Sequence, residues 1–299
     1  RGERFPKKSR GLLCKKPEVR YQVILENNSR FTVSKMCHAL NVSRSGYYAF
    51  VNRPESARSK RHKELICKIE KIHMDSNRIY GSPNITMALN REGIQVSRGT
   101  VARLMRKHGI KSKIRKKYKA TTNSKHNLPV ADNILNREFD AEKRNQKWVS
   151  DITYIWTDEG WLYLAAILDL FDKAIVGWSM DSRMTKQLVI NALTESGIRR
   201  KPEPGGILHS DRGSQYCSED YQKEIERWGF ICSMSRKGNC WDNAPMESFW
   251  GKLKMEWLNE RRFKTRDEAK KAVFEYIELF YNRVRQHSKN GYIPPLKMM

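Results

Sequence analysis

The stretch from Trp161 to Phe171 constrains the fold of this chain most, because its residues are almost all apolar. Such a run is typical of a central β-strand that is buried on both faces and therefore has protein layers on both sides. It is far too short to span a bilayer. Alternating β-prone residues predict a strand at Trp148–Trp156, Gly160 marks the following turn, and Ala174–Met180 predicts a third strand. The second half of the chain is therefore expected to be built around a sheet.

Helices and strands alternate after the third predicted strand, where the apolar residues change to helical spacing. The predicted elements are, in order, helix Thr185–Ile198, strand Ile207–Ser210, helix Ser218–Trp228, strand Phe230–Met234, and helices Asn243–Leu258 and Thr265–Arg285. This order of strands and helices is that of the ribonuclease-H-like fold. We therefore predict an α/β core with a mixed five-stranded sheet covered by helices.

The charge of the chain is strongly positive and unevenly distributed. The 299 residues include 58 Lys and Arg but only 33 Asp and Glu, which gives a net charge of +25. Nearly all of this excess lies in residues 1–147, whereas residues 148–299 are close to neutral. The asymmetry excludes an ordinary neutral metabolic enzyme as the default and indicates a half that binds a polyanion. The six cysteines lie far apart without a CxxC pair, which disfavours a disulfide framework or a zinc site and fits a reducing compartment.

Two helix-turn-helix outlines occur in the basic half. Phe31–Leu40 has its apolar residues on one helical face, and Ser43 is suited to cap a second short helix. The outline recurs with a helix at Pro83–Arg91 and a second helix opened by Val96-Ser97-Arg98. Any helical hairpin can imitate one such pattern, but two copies in a strongly basic segment indicate DNA binding. The candidate DNA contacts are Arg44, Tyr47, Arg98, Arg103, Arg106, Lys107, Lys113, Arg115, Lys116 and Lys117.

These patterns predict four segments. Residues 1–60 form a basic segment with the first helix-turn-helix, and residues 61–118 form a second, supported by a helix at Arg61–Met74. Residues 119–147, where the pattern fades into Thr, Asn, Lys and Pro129, are predicted to be a basic linker. Residues 148–299 form the α/β core.

Three carboxylates of the core are candidates for a metal site. Asp151 lies within the first strand, Asp211 ends the fourth, and Glu247 lies in the first turns of a helix. Each has a structural explanation taken singly: Asp211 precedes a glycine turn, Glu247 complements a helix dipole, and Asp151 could pair with an arginine. Together with the strand order and the basic half, they favour a metal site, since two Mg²⁺ ions bound by carboxylates can catalyse phosphoryl transfer. His209 is more often a structural residue in such a position and receives no role.

The residues around these carboxylates resemble a known family. The separation of 35 residues between Asp211 and Glu247 is that of the D,D(35)E pattern of transposases and retroviral integrases. The chain from about Val19 to Tyr292 is similar to the OrfB part of the insertion-sequence-three family. The motifs that carry the similarity are Asn41–Tyr48, Trp148–Tyr154, His209–Tyr216, Ser235–Trp250, Tyr281–Arg285 and His287-Ser288.

The resemblance implies an integrase-type catalytic core in which Asp151, Asp211 and Glu247 bind two Mg²⁺ ions, with Mn²⁺ as a substitute. It also implies a DNA-contacting basic residue seven positions after the glutamate, here Lys254, and an enzyme that cuts and joins DNA. The implied partners are the terminal inverted repeats, target DNA, a second copy of the chain on paired ends and an upstream OrfA protein, but no membrane. The implied location is the bacterial cytoplasm, at the nucleoid. Two alternatives are a ribonuclease-H-like nuclease that does not join DNA and a DNA-binding repressor with an inactive core.

Overall fold

The computed structural model describes residues 16–113 and 129–298. The chain divides into two compact units, one that ends at Leu65 and one that begins at Ile66. None of the described helices is both long and apolar enough to cross a membrane.

The first unit contains the first predicted helix-turn-helix. Helices α1 (Pro17–Asn27), α2 (Val33–Ala39) and α3 (Arg44–Val51) pack around a small core whose fully buried members include Ile24, Met36 and Leu40. The predicted cap is confirmed, because Ser43 Oγ accepts a hydrogen bond from the Gly46 amide at 3.0 Å. Helix α1 was not predicted from the sequence.

Tyr47 does not lie where the sequence predicts. Only 3% of its surface is exposed, and it belongs to the core of the first unit. A buried ring cannot contact DNA, so the prediction for Tyr47 was wrong. Successive side chains point in different directions around a helix, so the neighbouring Tyr48 of α3 is exposed instead.

The second helix-turn-helix also forms as predicted. Helices α4 (Ala57–Asp75), α5 (Ser82–Arg91) and α6 (Arg98–Lys107) occupy the predicted positions. The Ser97 hydroxyl caps α6 by accepting a hydrogen bond from the Thr100 amide at 3.3 Å. The inward residues of this module are Ile69, Ile85, Leu89, Val101 and Leu104.

Five strands of the described chain form one mixed sheet. They are β1 (Lys147–Thr157), β2 (Gly160–Asp169), β3 (Ile175–Asp181), β4 (Ile207–Ser210) and β5 (Ile231–Met234). The strand order is β3-β2-β1-β4-β5, with β1, β2 and β3 antiparallel and with β4 and β5 parallel to β1. This topology confirms the predicted ribonuclease-H-like fold.

Helices cover both faces of the sheet, as the apolar strand β2 requires. Helices α7 (Lys186–Arg200) and α8 (Glu219–Arg227) share one core cluster with Trp148 and Ile167. Helix α9 (Ala244–Leu253) contacts β1, and helix α10 (Arg266–Phe274) contacts β1 and β2. Side chains alternate between faces along a strand, so Trp148 and Asp151 of β1 point to opposite sides.

The last two helices differ from the prediction. The predicted helix Asn243–Leu258 ends its α-helical part at Leu253 and continues as a π-helix over Lys254–Leu258. The predicted helix Thr265–Arg285 likewise becomes a π-helix at Glu275–Tyr281 and then ends. The amphipathic pattern alone cannot distinguish an α-turn from a π-turn.

A buried ion pair lies between these two π-helical segments. The guanidinium of Arg285 donates from Nε to Oε2 of Glu256 at 2.7 Å and from Nη2 to Oε1 at 2.5 Å. The Tyr276 hydroxyl donates to the same carboxylate at 2.7 Å. Glu256 is 1% exposed, and these hydrogen bonds compensate its burial.

Residues 129–146, which the sequence predicts to be part of a linker, instead pack on the core. The Ser233 hydroxyl of β5 accepts hydrogen bonds from the amides of Ile134 and Leu135, and Leu135 is buried. Polar composition indicated a linker here, but the backbone of this segment bonds to the sheet.

Candidate active site

The two aspartates lie at equivalent positions on adjacent parallel strands. The register pairs Val149 of β1 with His209 of β4. Asp151 and Asp211 each follow this pair by two residues, at the end where β4 stops and β1 continues. Parallel pairing therefore brings together two acids that are separated by 59 intervening residues in the sequence.

Asp151 is oriented by two hydrogen bonds. Its Oδ1 accepts from the Ile152 amide at 2.8 Å, and its Oδ2 accepts from the indole Nε1 of Trp250 at 2.9 Å. Trp250 lies on α9, three residues after Glu247, so the helix that carries the third acid also holds the first. The sequence motif included Trp250 but gave no sign of this role.

The start of α9 is fixed beside β1. Glu247 lies in the first turn of this helix. The side-chain amide of Asn243, at the helix start, donates to the carbonyl of Ser150 at 2.9 Å, next to Asp151 in the strand. Asn243 is buried, and this bond sets the distance of the helix from the strand.

The three carboxylates act on one another electrostatically. Burial raises the pKa of Asp151 well above its ordinary value, and the negative charge of Asp211 raises it further. Glu247 acts in the same direction. Like charges in a partly desolvated cleft oppose ionisation, and a cation relieves that opposition.

Asp211 begins a tight turn. Its Oδ1 accepts from the Gly213 amide at 2.8 Å, and a Cβ on Gly213 would lie 3.0 Å from that oxygen. The Arg212 Nε donates to the Ser235 carbonyl at 2.5 Å and so ties the turn to the residues after β5. The turn thus has the local role that the sequence indicated, in addition to its position beside Asp151.

The donor set suits a hard divalent cation. Carboxylate oxygens are the ligands that Mg²⁺ prefers, and the space next to Asp211 is kept open by a glycine. As they stand, no three His, Cys, Asp or Glu side chains within residues 16–113 and 129–298 are gathered tightly enough to enclose a metal ion. Asp211 and Glu247 are therefore close enough to Asp151 to act on it electrostatically, without forming a closed set of metal ligands.

The loop before α9 is held by a buried carboxylate that sequence reasoning missed. Asp242 is fully buried. It accepts hydrogen bonds from Arg236 at 2.8 and 2.9 Å, from Arg137 at 2.7 Å and from Asn133 at 2.9 Å. These bonds hold the pKa of Asp242 far below its ordinary value, with the Arg236 side chain as the largest cause. Segment 129–146 thereby helps to fix the loop that leads to Glu247.

Lys254 lies close to the carboxylates but is not a simple surface lysine. Its Nζ lies 4.9 Å from the centre of the Tyr154 ring. Burial lowers the pKa of Lys254, and the nearby Tyr154 and Asp151 counteract that shift. Lys254 is therefore close to Asp151 and makes an aromatic contact that the sequence did not predict.

His209 is the structural residue that its position favoured. It is fully buried, and its two ring nitrogens contact Ser233 Oγ at 2.9 Å and Ser235 Oγ at 3.1 Å. Burial lowers its pKa to about 4. It is therefore a neutral residue that joins β4 to β5.

The predicted DNA contacts divide into three groups. The side chains of Arg44, Arg98, Arg103, Arg106 and Lys107 are exposed. Lys113 is instead engaged within the protein, since its Nζ donates to the Glu256 carbonyl at 3.0 Å and pairs with Glu260 at 2.9 Å. The remaining candidates, Arg115, Lys116 and Lys117, lie outside the described residues.

The fold and the family models define the class of protein. Two models described as "Integrase core domain" match residues 141–240 and 229–295, and a model described as "HTH-like domain" matches residues 60–118. The catalytic core domain of HTLV-2 integrase, solved in complex with magnesium, covers 53% of this chain and 99% of its own at 16% identity, with a TM-score of 0.42. The chain carries an integrase core of the DDE type of polynucleotidyl transferases.

Closer relatives identify the family. Transposase InsF for insertion sequence IS3A of Escherichia coli K12 is 40% identical over 279 residues, which cover 93% of this chain and 97% of that protein. The uncharacterized 31 kDa protein of insertion element IS600 of Shigella sonnei is 49% identical over 260 residues, covering 87% and 96%. The chain belongs to the IS3-type transposase family.

Proposed function

We propose that this transposase cuts DNA at the ends of an insertion sequence and joins the freed 3′ ends to target DNA. The observation that carries the proposal is that the parallel pairing of β1 and β4 sets Asp211 beside Asp151, whose pKa is raised by burial, by Asp211 and by Glu247 of α9. Three acids that oppose one another's ionisation are costly to keep together unless they bind a cation. The family and the basic helical modules supply the DNA substrate.

The three carboxylates would hold two Mg²⁺ ions, with Mn²⁺ as a substitute. When bound, such ions stabilise the charge on the attacking and leaving oxygens of a phosphodiester. Trp250 holds Asp151 in one orientation through the indole bond. Asn243 fixes the helix of Glu247 against β1, and Gly213 leaves room beside Asp211.

Two displacements at phosphorus make up the reaction. In the first, water attacks the phosphodiester at the element end, the P–O3′ bond breaks, and a 3′-hydroxyl and a 5′-phosphate are left. In the second, that 3′-hydroxyl attacks a phosphodiester of the target, a new P–O3′ bond forms, and the target strand leaves with its own 3′-hydroxyl. The attacking hydroxyl gives its proton to solvent and the leaving oxygen takes one up. One phosphodiester bond breaks for each one that forms, so their number is conserved in the joining step.

The two helical modules would hold the terminal repeats. Arg98, Arg103, Arg106 and Lys107 are exposed on or at the ends of α6 and suit contacts to phosphates, with a few side chains at base edges. Paired ends require two active sites, so we infer that a dimer acts on them, with an OrfA protein as a further partner. We further infer that the protein acts on the chromosome in the bacterial cytoplasm.

The carboxylates are tested one at a time. Asp151→Asn, Asp211→Asn and Glu247→Gln should each reduce cleavage and joining to background while duplex binding stays within about twofold of wild type. The matched control is Asp220→Asn, which neutralises an exposed acid on α8 that pairs with Lys186. A triad variant that keeps substantial joining activity would show that the assignment is wrong.

The same assay separates the alternatives. A pre-cut end with a free 3′-hydroxyl bypasses the first step, so a joined product from it requires the second. Wild-type cleavage without any joining would identify a nuclease, and duplex binding without either step would identify a repressor.

A further inference from the structure

The end of the β1–β2 hairpin carries a row of three aromatic rings, the half-buried Tyr154 and the exposed Trp156 and Trp161, which we call the aromatic row. Trp156 and Trp161 are paired across the two strands, with ring centres 4.7 Å apart at 75°. Tyr154 meets Trp161 at 5.0 Å and 82°. Each ring therefore supports the next in an edge-to-face arrangement.

The two tryptophans of the row are exposed although they are large and apolar. Trp156 is 57% exposed and Trp161 is 43% exposed. Indole rings are normally among the most buried side chains on average, so a role in the core does not explain them. Mutual stabilisation of a hairpin accounts for the contacts between the rings but not for the surface that they leave open.

The hairpin end is held firmly by the segment that leads into α10. The Asp158 amide donates to the Phe263 carbonyl at 3.0 Å. Arg266 donates from Nη2 to the Glu159 carbonyl at 2.7 Å and from Nε to the Trp161 carbonyl at 3.1 Å. The aromatic row is thus presented on a fixed backbone rather than on a free loop.

The row begins beside the candidate active site. Strand alternation turns Tyr154 and Asp151 to opposite sides of β1, but Lys254 connects them, because it lies over the Tyr154 ring and is close enough to Asp151 to interact with its charge. The order in space is therefore carboxylate, lysine, tyrosine and then the two tryptophans. DNA whose scissile phosphate lies at Asp151 would have neighbouring nucleotides within reach of this row.

We infer that the aromatic row stacks against unpaired bases of the DNA next to the scissile phosphate. This inference rests on the proposed function, because it takes the position of that phosphate from the three carboxylates. Bases stack on aromatic side chains without strong sequence preference, and a lysine in the same surface supplies the phosphate contact. Lys254, Arg262 and Arg266 adjoin the row against two acids, Asp158 and Glu159, so the local charge is weakly positive and favours a polyanion as the occupant.

The test compares a forked duplex, with both strands unpaired over a few nucleotides at one end, with a blunt duplex of the same sequence. The full chain is used without divalent metal, so that no strand is cut. A 2-aminopurine in the fork reports stacking through its fluorescence. Wild type should prefer the fork, and Trp156→Ala or Trp161→Ala should weaken fork binding by roughly five- to 100-fold while blunt binding is little changed.

Two further variants isolate stacking from loss of bulk or fold. Trp156→Phe keeps an aromatic face and should recover most of the preference. Phe274→Ala removes another exposed aromatic ring, which packs on Trp178 of the edge strand β3, and should leave the preference unchanged. Thermal melting of each variant shows whether it is folded, and Trp156→Phe still tests the inference if an alanine variant is not.

Several outcomes would overturn the inference. These are equal wild-type affinity for fork and blunt duplex, an unchanged preference in folded tryptophan variants, and a Trp156→Ala variant that alters the oligomeric state but not fork binding. The last outcome would assign the row to contact with a second copy of the chain. Since binding is measured without cleavage, loss of the proposed activity in the triad variants can be told apart from failure of the stacking inference.

Discussion

At the scale of single residues, Lys254 differs most from what a helical pattern suggests. A lysine on an amphipathic helix is usually a solvated charge, yet this ammonium lies over the Tyr154 ring and within the influence of Asp151. A lysine acts on a phosphate as a point charge and does not need fixed fork geometry. Its position suits a contact with the DNA strand that is cut.

We expect Lys254→Ala to weaken binding of a cut DNA end, or to slow joining, by about tenfold, because one charge-assisted contact is lost. The free energy of unfolding should fall by no more than about 2 kcal/mol, the value of a desolvated cation–π contact. The readouts are a strand-transfer assay at fixed salt and urea unfolding.

Lys252 on the same helix is the matched control. Its Nζ lies 3.4 Å from Nε2 of His287, away from Tyr154. If Lys252→Ala and Lys254→Ala reduce joining equally, the effect is one of general charge and Lys254 has no specific role.

At the scale of elements, α6 has a clear division between its two sides. Val101, Leu104 and Met105 are buried, whereas Arg103, Arg106 and Lys107 are exposed. The apolar residues dock the helix, which leaves the basic residues for a polyanion. Lys113 follows the same basic run but is bound to Glu256 and Glu260.

Arg103→Gln should therefore lower duplex affinity and reduce the slope of log affinity against log salt concentration by about one, because one phosphate contact is lost. Lys113→Gln removes the same charge from a residue that is engaged within the protein, and its salt slope should stay close to that of wild type. Binding isotherms between roughly 50 and 200 mM salt measure both. Equal slopes for the two variants would contradict the assignment.

The buried Glu256 carboxylate joins the two π-helical segments through its bonds to Arg285 and Tyr276. Arg285→Met leaves the Glu256 carboxylate buried without its cation and should lower the free energy of unfolding by about 3–5 kcal/mol. The double variant Glu256→Leu with Arg285→Met removes both charges and should recover much of that loss. Urea unfolding of the two proteins checks this, and equal stabilities of the single and double variants would contradict it.

At the scale of the whole molecule, the second helical module and the core belong to one compact unit. The Tyr80 hydroxyl accepts from the Gln286 amide at 2.8 Å and donates to the Val284 carbonyl at 3.3 Å. Arg91 donates to the carbonyls of Gly291 and Tyr292 at 3.0 and 2.9 Å. The module is thus attached by hydrogen bonds to backbone groups of residues 284–292, near the C-terminal end of the described chain.

The pH dependence of stability should show the effect of a buried histidine in this region. Burial lowers the pKa of His287 to about 3, and Lys252, Arg285, Lys173 and Lys289 act in the same direction. Between pH 6.5 and about 3 the unfolded chain binds a proton that the folded chain does not, so stability falls as the pH falls.

Removing the His287 imidazole should make the stability fall less steeply as the pH falls. From pH 7 to pH 5, His287→Gln should lose less stability than wild type by about 2 kcal/mol. His38→Gln, which removes an exposed histidine from α2, controls for the loss of an imidazole. Urea unfolding at the two pH values is the measurement, and parallel losses in His287→Gln and wild type would contradict the prediction.

Local chemistry made several features predictable from the sequence alone. The apolar run of β2 requires cover on both faces, Ser43 and Ser97 supply cap oxygens, and helical spacing marks the inward sides of α5 and α6. The element order then selected the fold. The spacing of Asp151, Asp211 and Glu247 also indicated the candidate site. All of these features depend on residues that are close in the chain or on the order of residues along it.

Contacts between distant residues were decided only by the tertiary structure. Three examples join elements that are separate in the sequence: the burial of Tyr47, the ion pair of Lys113 with Glu260 and the hydrogen bond from Trp250 to Asp151. The buried carboxylate of Glu256 likewise bonds to Tyr276 and Arg285 of a later helical segment, which the sequence pattern did not indicate. The physical reason is that burial and hydrogen bonding at a side chain depend on which surfaces meet, and a one-dimensional pattern fixes which side of an element is apolar but not what lies against it.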